Sequence, residues 1–406
     1  MDMALGYNGP TMPDLMKLLT VLALIVFLLR KKYRIGNVLL AASALLALLY
    51  LMHPQRIAAS IGAALTSPVT IKLGLSLTLI RVLELVLREN SIIAGMTEAS
   101  KSLFKKRKLV IISMPLLIGM LPSLGGAYFS APMVDESTKG VSMSQEEKGF
   151  INFWFRHPWE YVLPLYPGIL LASAISGVEL RSLILSNLPY ASAMLLTGFF
   201  FSMRGITGSI ESARVTKHGL LSFLPIGIII LLVMVFHLEL HYALIILIIG
   251  LFIFYRYGIS RIVAALRYGF AIEVLLLVAG VMLFKELMEG TGAVKNLGEF
   301  FVSRGIPLMP LLFLLPFISG FLTGITVGSV GSTFPVILHM LHGAPAAAIS
   351  FAFASAFLGV LLSPVHVCLV LTREYFNADI WGIYRRMFPA CGTIIIVAVI
   401  EYLLFA

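Results

Sequence analysis

Apolar residues run along this chain in blocks of about 15 to 25, from Leu15 to Phe405, with only short polar interruptions between them. The blocks lack the alternating polarity of barrel strands. They therefore predict helices, which satisfy every backbone group within their own segment when the surroundings are lipid. Ten crossing helices are expected, at 15–29, 35–52, 69–87, 151–176, 182–203, 219–236, 241–255, 268–288, 346–372 and 380–404. A short amphipathic piece at 55–65 ends at Ser67-Pro68, where the proline disfavours helix in the residue before it. Two more, at 92–104 and 294–301, are expected to lie along the membrane surface.

Two apolar blocks do not read as crossings. Residues 109–134 contain LPSLGGAYFSAP, and residues 306–340 contain SGFLTGITVGSVGSTFP. The first has 26 residues, where two crossings need about 40. A single straight crossing would have to absorb Pro115, Gly119, Pro122, Gly125 and Gly126. Both blocks are therefore predicted as re-entrant hairpins. Charge agrees: with both re-entrant, 21 Lys/Arg fall on the cytoplasmic side and 6 outside, against 17 and 10 if each hairpin crossed. Positive residues gather inside, which favours re-entrance.

The two halves read as repeats. Pro132, Pro164 and Pro189 are matched by Pro335, Pro364 and Pro389, at offsets of 203, 200 and 200 residues. The first repeat covers 1–203, a cytoplasmic linker 204–218, and the second repeat 219–406. Each holds five crossings, an odd number, so the second is inverted and both chain ends face outside. The first hairpin enters from the cytoplasm, the second from the exterior.

The composition is 59% hydrophobic and 12% charged, which excludes a water-soluble fold and makes this an all-α polytopic membrane protein. The net charge of +10 is explained by cytoplasmic loops and implies no nucleic acid. Basic residues follow the first span instead of preceding it, so that span is read as retained and not as a signal peptide. The setting expected is a cell membrane, crossed many times. Cys368 and Cys391 lie in apolar segments, where neither a disulfide nor a metal site is expected.

Candidate chemistry concentrates at the hairpin tips, where ends of broken helices expose carbonyls to cations and N–H groups to anions. Gly125 and Gly126 allow close approach, Ser123 and Ser130 offer hydroxyls, and Tyr128 lies between them. In the second tip Gly324, Gly328 and Gly331 play the first part, and Thr323, Thr326, Ser329, Ser332 and Thr333 the second. Beside the first hairpin, FWFRHPWEYVLPLYPG carries Arg156, His157 and Glu160 among three prolines; beside the second, FLGVLLSPVHV carries Pro364 and His366. Ionisable groups inside spans are costly and mark function. Glu160 and His366 are thus the candidates for coupling, while Arg156 and His157 read equally well as an interfacial anchor. Arg81 and Glu84 are expected to form an ion pair on one helix face. Lys72 is expected to snorkel, and Glu273 to meet Arg267 or a second subunit. His237, Glu239 and His241 read as loop residues. Ser144-Gln-Glu-Glu147 is a capping box that starts the fourth span.

The order of three spans, hairpin and two spans, repeated inverted, resembles the ion transporter superfamily of dicarboxylate/sodium symporters, gluconate and lactate permeases, and arsenite and sodium/proton exchangers. Within it, LPSLGGAYFSAP and FINFWFRHPWEYVLPLYPG look like an uncharacterised prokaryotic membrane family, domain of unknown function 401. The resemblance implies a homodimer, with spans one to three and six to eight as scaffold and the remainder as an elevator-type transport unit. The dicarboxylate symporters carry Ser-Asn-Thr at each tip, and neither tip here contains Asn. The expected function is a secondary transporter for a small, organic anion, coupled to sodium at the tips or to protons, with no other cofactor. A cation/proton exchanger using Glu160 is the alternative. No His-Glu-x-x-His or Gly-x-Ser-x-Gly pattern supports an enzyme.

Overall fold

The computed structural model describes residues 12–31, 33–92, 95–96, 104, 106–120, 126–202, 206, 221–291, 307–338, 340–341, 343 and 345–406. Their regular structure is helical. The first half holds α1 (Met12–Arg30), α2 (Ile35–Leu49), α3 (Pro54–Thr66) and α4 (Pro68–Glu89). There follow α5 (Arg107–Gly119), α6 (Gly126–Ser137), α7 (Gln145–Trp154), the single turn α8 (Trp159–Val162), α9 (Pro167–Ser176) and α10 (Leu180–Ser202). The second half holds α11 (Leu224–Met234), α12 (Leu240–Phe254), α13 (Ile259–Gly269), α14 (Ile272–Thr291), α15 (Leu308–Thr323), α16 (Thr326–Leu338), α17 (Ala346–Leu361), α18 (Val367–Phe376) and α19 (Ile380–Phe405).

Each of the ten expected crossings coincides with helix, and 151–176 and 346–372 are each interrupted at their prolines. The capping box is formed, with the Glu147 N–H donating to Ser144 Oγ and the Ser144 N–H to Glu147 Oε2. The surface pieces expected at 92–104 and 294–301, and the linker at 204–218, lie wholly or mostly outside the described residues. One element was not foreseen: α13 occupies a stretch expected to be loop. Its apolar residues fall on one helix face and its arginines, Arg261 and Arg267, give the stretch the charge of a loop.

Among the described residues, three helical stretches are long and apolar enough to cross a membrane: Leu180–Ser202, Ile259–Thr291 and Ile380–Phe405. The second of these bends at Phe270–Ala271, between α13 and α14. Large apolar side chains on the outer helix faces, among them Leu196, Ile253, Phe388 and Leu403, are exposed, while hydroxyls and amides are buried inside. That inversion suits a hydrocarbon surround.

The helices of 109–134 and 306–340 form two hairpins, α5 on α6 and α15 on α16. The arms of the first, 13 and 12 residues, are about 20 and 18 Å long at 1.5 Å per residue, short of a ~30 Å hydrocarbon core. Equivalent contacts recur in the two halves. Helix α2 packs on α14 as α12 packs on α4, α3 on α14 as α13 on α4, and α6 on α18 as α16 on α9. Each hairpin thus leans on the broken helix of the other half. The closest crossings repeat as well. A Cβ on Gly119 would collide with the Arg156 carbonyl oxygen, and one on Gly320 with the Ala356 carbonyl oxygen. These pairs are offset by 201 and 200 residues, in step with the prolines.

Several expected pairings are replaced. Arg81 makes no ion pair with Glu84 among the described residues; it donates to the Tyr268 carbonyl at 3.4 Å and stacks its guanidinium 4.7 Å from that ring. The adjacent α13 supplies a better partner than one three residues along the same helix. Glu273 pairs with Arg34 at 2.8 Å, across the α2–α14 contact, and not with Arg267. Lys72 is half-exposed and binds Glu239 at 2.8 Å, which occupies that carboxylate beside His241.

The start of α7 is fastened to the start of α19. Arg386 meets Glu147 at 2.8 Å, and the Asp379 N–H donates to Glu146 Oε1 at 3.3 Å. Its own backbone N–H, the Ser144 hydroxyl and the Asp379 N–H hold the Glu146 carboxyl below the ordinary glutamate range. A depressed carboxylate contributes stability that is complete above the unfolded value and is lost as pH falls through the folded one. Ser144→Ala is expected to cost about 1 kcal/mol and to move the acid limb of the thermal unfolding midpoint toward higher pH. A midpoint unchanged from pH 3 to pH 7 would count against this cap.

Candidate functional site

The two interruptions place the site. In the first, helix α7 ends because Pro158 lacks an N–H and crowds the residue before it, and Pro164 and Pro167 prevent recovery until Pro167 opens α9 at its first turn. In the second, Pro364 ends α17 and His366 stands at the N-cap of α18. Both sites of freed backbone lie inside otherwise apolar helices, and between them sits the turn joining α15 to α16.

His157 is 2% exposed and His366 9%. His157 Nδ1 lies 2.5 Å from the Phe153 carbonyl oxygen, and His366 Nδ1 lies 2.7 Å from the Gly324 carbonyl oxygen. A carbonyl only accepts, so each Nδ1 carries its proton. The two Nε2 atoms then face each other at 3.2 Å. Glu160 is largely buried, accepts a hydrogen bond from Thr326 Oγ1 at 3.0 Å, and has its other oxygen 3.9 Å from His157 Nε2. Arg156 is 4% exposed, with Nη1 3.6 Å from Cys368 Sγ and no hydrogen bond from Nε to any described residue. The ligand atoms of His157, His366 and Cys368 all lie within 4.8 Å of one another.

Gly324 is required at this corner. Its φ of +66° is a left-handed cap that side chains rarely adopt, and a Cβ there would stand 2.9 Å from the His366 nitrogen. The first break also holds the first hairpin: Trp159 Nε1 donates to the Leu116 carbonyl at 2.6 Å, and the Tyr166 hydroxyl to the Gly119 carbonyl.

The residues expected to bind substrate or ion divide in two groups. Glu160, His366, Thr326 and Gly324 meet in this site. The other second-tip hydroxyls bond backbone within their own hairpin. Thr323 and Thr333 donate to Ser319 and Ser329 carbonyls, Ser329 to the Pro316 carbonyl, and Ser332 to the Gly328 carbonyl. Gly328 and Gly331 face apolar side chains of other helices, Leu29 and Val281 respectively. Of the first tip, Ser123 and Gly125 lie outside the described residues, Gly126 opens α6, and Tyr128 falls in its first turn. Ser130 donates to Asn152 Oδ1 at 2.6 Å.

Four polar residues, Cys368 in the site and three buried ones outside it, carry no signal in the sequence. Cys368, two residues after His366, lies in a segment whose apolar neighbours give no sign of its polar surroundings. Asn152 joins three elements, donating to the Ala127 carbonyl at 3.0 Å and to Thr372 Oγ1 at 2.9 Å while accepting from Ser130. Asn187 donates to the Tyr161 carbonyl at 2.9 Å and accepts from Ser350 at 2.6 Å. Asparagine was sought at the tips, while here it braces the helices behind them. Glu401 is a buried carboxylate in the apolar helix α19, beside Tyr190.

Helices able to cross a membrane, arranged about a buried polar site between two broken helices, are consistent with a helical membrane protein. The chain matches, from residue 11 to 405, the family described as protein of unknown function (DUF401), and it belongs to that family. None of the curated proteins compared with it matches.

Proposed function

We propose that the chain is a secondary active transporter that moves a small organic anion, coupled to sodium or protons. One observation carries the reading: two helix breaks some 200 residues apart and one hairpin tip converge on a single buried polar site. Broken helices that meet at depth are the usual frame of a transporter's substrate site. The Arg156 guanidinium, with Nε directed to no described partner, suits a carboxylate or similar oxyanion. Glu160 and Thr326 beside it suit the coupling cation, whose charge offsets that of the cargo.

In this reading 1–203 and 219–406 are inverted repeats and the two hairpins are re-entrant. The recurring contacts and the short hairpin arms support both. The hairpins with α7–α10 and α17–α19 form the moving unit of an elevator, α1–α4 and α11–α14 the scaffold of a homodimer in a prokaryotic plasma membrane. The second reading, a cation/proton exchanger, is favoured by the carboxylate of Glu160 standing in the site with a hydroxyl on one oxygen.

A thermal-shift screen of the purified protein against organic and inorganic anions, with and without sodium, separates the two. The proposal expects an organic anion to raise the unfolding midpoint, more strongly with its coupling ion present, and expects Glu160→Gln to remove that enhancement. Stabilisation by sodium or pH alone, with no anion effective, would replace it with the exchanger.

A further inference from the structure

Two neutral imidazoles whose Nδ1 protons are both committed to carbonyls present bare lone pairs at Nε2. In this protein the two Nε2 atoms face each other at 3.2 Å in a buried setting, so with both rings neutral their lone pairs would point at one another. The arrangement calls for a positive centre between the rings. A shared proton would satisfy the nitrogens alone, but the surroundings supply more than nitrogen. Cys368 Sγ belongs to the same cluster, and a Glu160 oxygen is 3.9 Å from His157 Nε2.

We propose that His157, His366 and Cys368 bind a divalent transition-metal ion of the zinc class, with Glu160 placed to close the fourth position. The inference goes beyond the transport reading and does not depend on it. Three features support it. In a tetrahedral zinc site with bonds of about 2.0–2.1 Å, two imidazole nitrogens stand about 3.3 Å apart, close to the 3.2 Å seen here. Imidazole and thiolate together are the donor set that borderline ions select. Both rings already make the outer hydrogen bond to a carbonyl that orients metal-bound histidine and fixes its tautomer.

Binding replaces the Cys368 S–H bond with an S–metal bond and releases that proton to solvent, so the site loads with a measurable proton yield. Arg156 Nη1, 3.6 Å from the sulfur, supplies the positive neighbour that a metal-bound thiolate attracts. The ion would tie the first break, through His157, to the second, through His366 and Cys368.

The test uses the untagged full chain, stripped of metal in detergent and titrated with Co2+. One equivalent is expected to give the visible bands of tetrahedral cobalt and a near-ultraviolet thiolate-to-cobalt band, both removed by Zn2+. Cys368→Ser should abolish the thiolate band, and His157→Gln or His366→Gln should weaken binding at least tenfold. Cys391→Ser, a buried thiol outside the cluster, should change neither. Absence of the thiolate band, or its persistence in Cys368→Ser, overturns the site. Should a variant fail to fold, Zn2+ must still shield Cys368 of the native chain from alkylation, and unshielded modification overturns it too. None of these readouts involves transport, so this site and the transport reading can fail separately.

Discussion

Gly359→Ala is expected to cause a large loss of folded protein. Helices α15 and α17 cross with their backbones in direct contact. A Cβ at position 359 would fall inside the Phe317 carbonyl oxygen and 2.9 Å from both the Phe317 carbonyl carbon and the Phe321 nitrogen. All three are backbone atoms, which cannot step aside as the end of a side chain can. Overpacking a well-packed contact costs about 1–3 kcal/mol, and more when helices must separate. Gly320 makes the reciprocal contact one turn away, so the crossing has no slack from either side. The same crossing sets the distance between Gly324 and His366, and the loss should therefore reach the site as well as the fold. Gly250→Ala is the matched control: it too is mid-helix, has nothing within 4 Å of its would-be Cβ, and should gain up to about 1 kcal/mol from helix propensity. The check is the yield of monodisperse protein and its unfolding midpoint in detergent. Equal midpoints for the two variants would remove the tight crossing as a determinant of stability.

Asn152→Ala is expected to have the next largest effect. The Asn152 side chain, fully buried, joins α6 through Ala127 and Ser130 and α18 through Thr372. Three hydrogen bonds at the ~0.6 kcal/mol typical between membrane helices give about 2 kcal/mol, before any cavity cost. A buried partner left unsatisfied adds about 1–3 kcal/mol. Residues sharing such a bond do not lose stability additively. Thr372→Val should therefore cost much less in the Asn152→Ala background than in the native chain, as read from unfolding midpoints of the four proteins. Strict additivity would show that the asparagine does not couple these helices.

Much of the architecture was legible because its causes are local. Long apolar blocks form helices, block length separates long helices from the short arms of the two hairpins, and prolines fix where a helix breaks. Pro158, Pro164 and Pro364 act through their own missing N–H and ring, so the interruptions at 155–158, 163–166 and 362–366 needed no partner to be foreseen. Helix α13 is less legible, because Arg261 and Arg267 give a short amphipathic helix the charge of a cytoplasmic loop. The site was half legible. Glu160 and His366 stood out as costly ionisable residues in apolar runs. The tip hydroxyls stood out for their composition, yet Ser329, Ser332 and Thr333 turn back on their own hairpin, a choice made by side-chain rotamers that carry no mark in the sequence.

The chain by itself therefore determined helical segments, their breaks and a recurrence near 200 residues, since each follows from a residue's own backbone chemistry or from solvent. Only tertiary structure decided that His157 faces His366 and Cys368, that Asn152 reaches Thr372, and that Glu273 chooses Arg34. Those residues are separated by about 210 to 240 positions. Their meeting depends on where backbones cross at glycine, as at Gly320 and Gly359, and no local pattern encodes which distant polar groups that contact brings face to face.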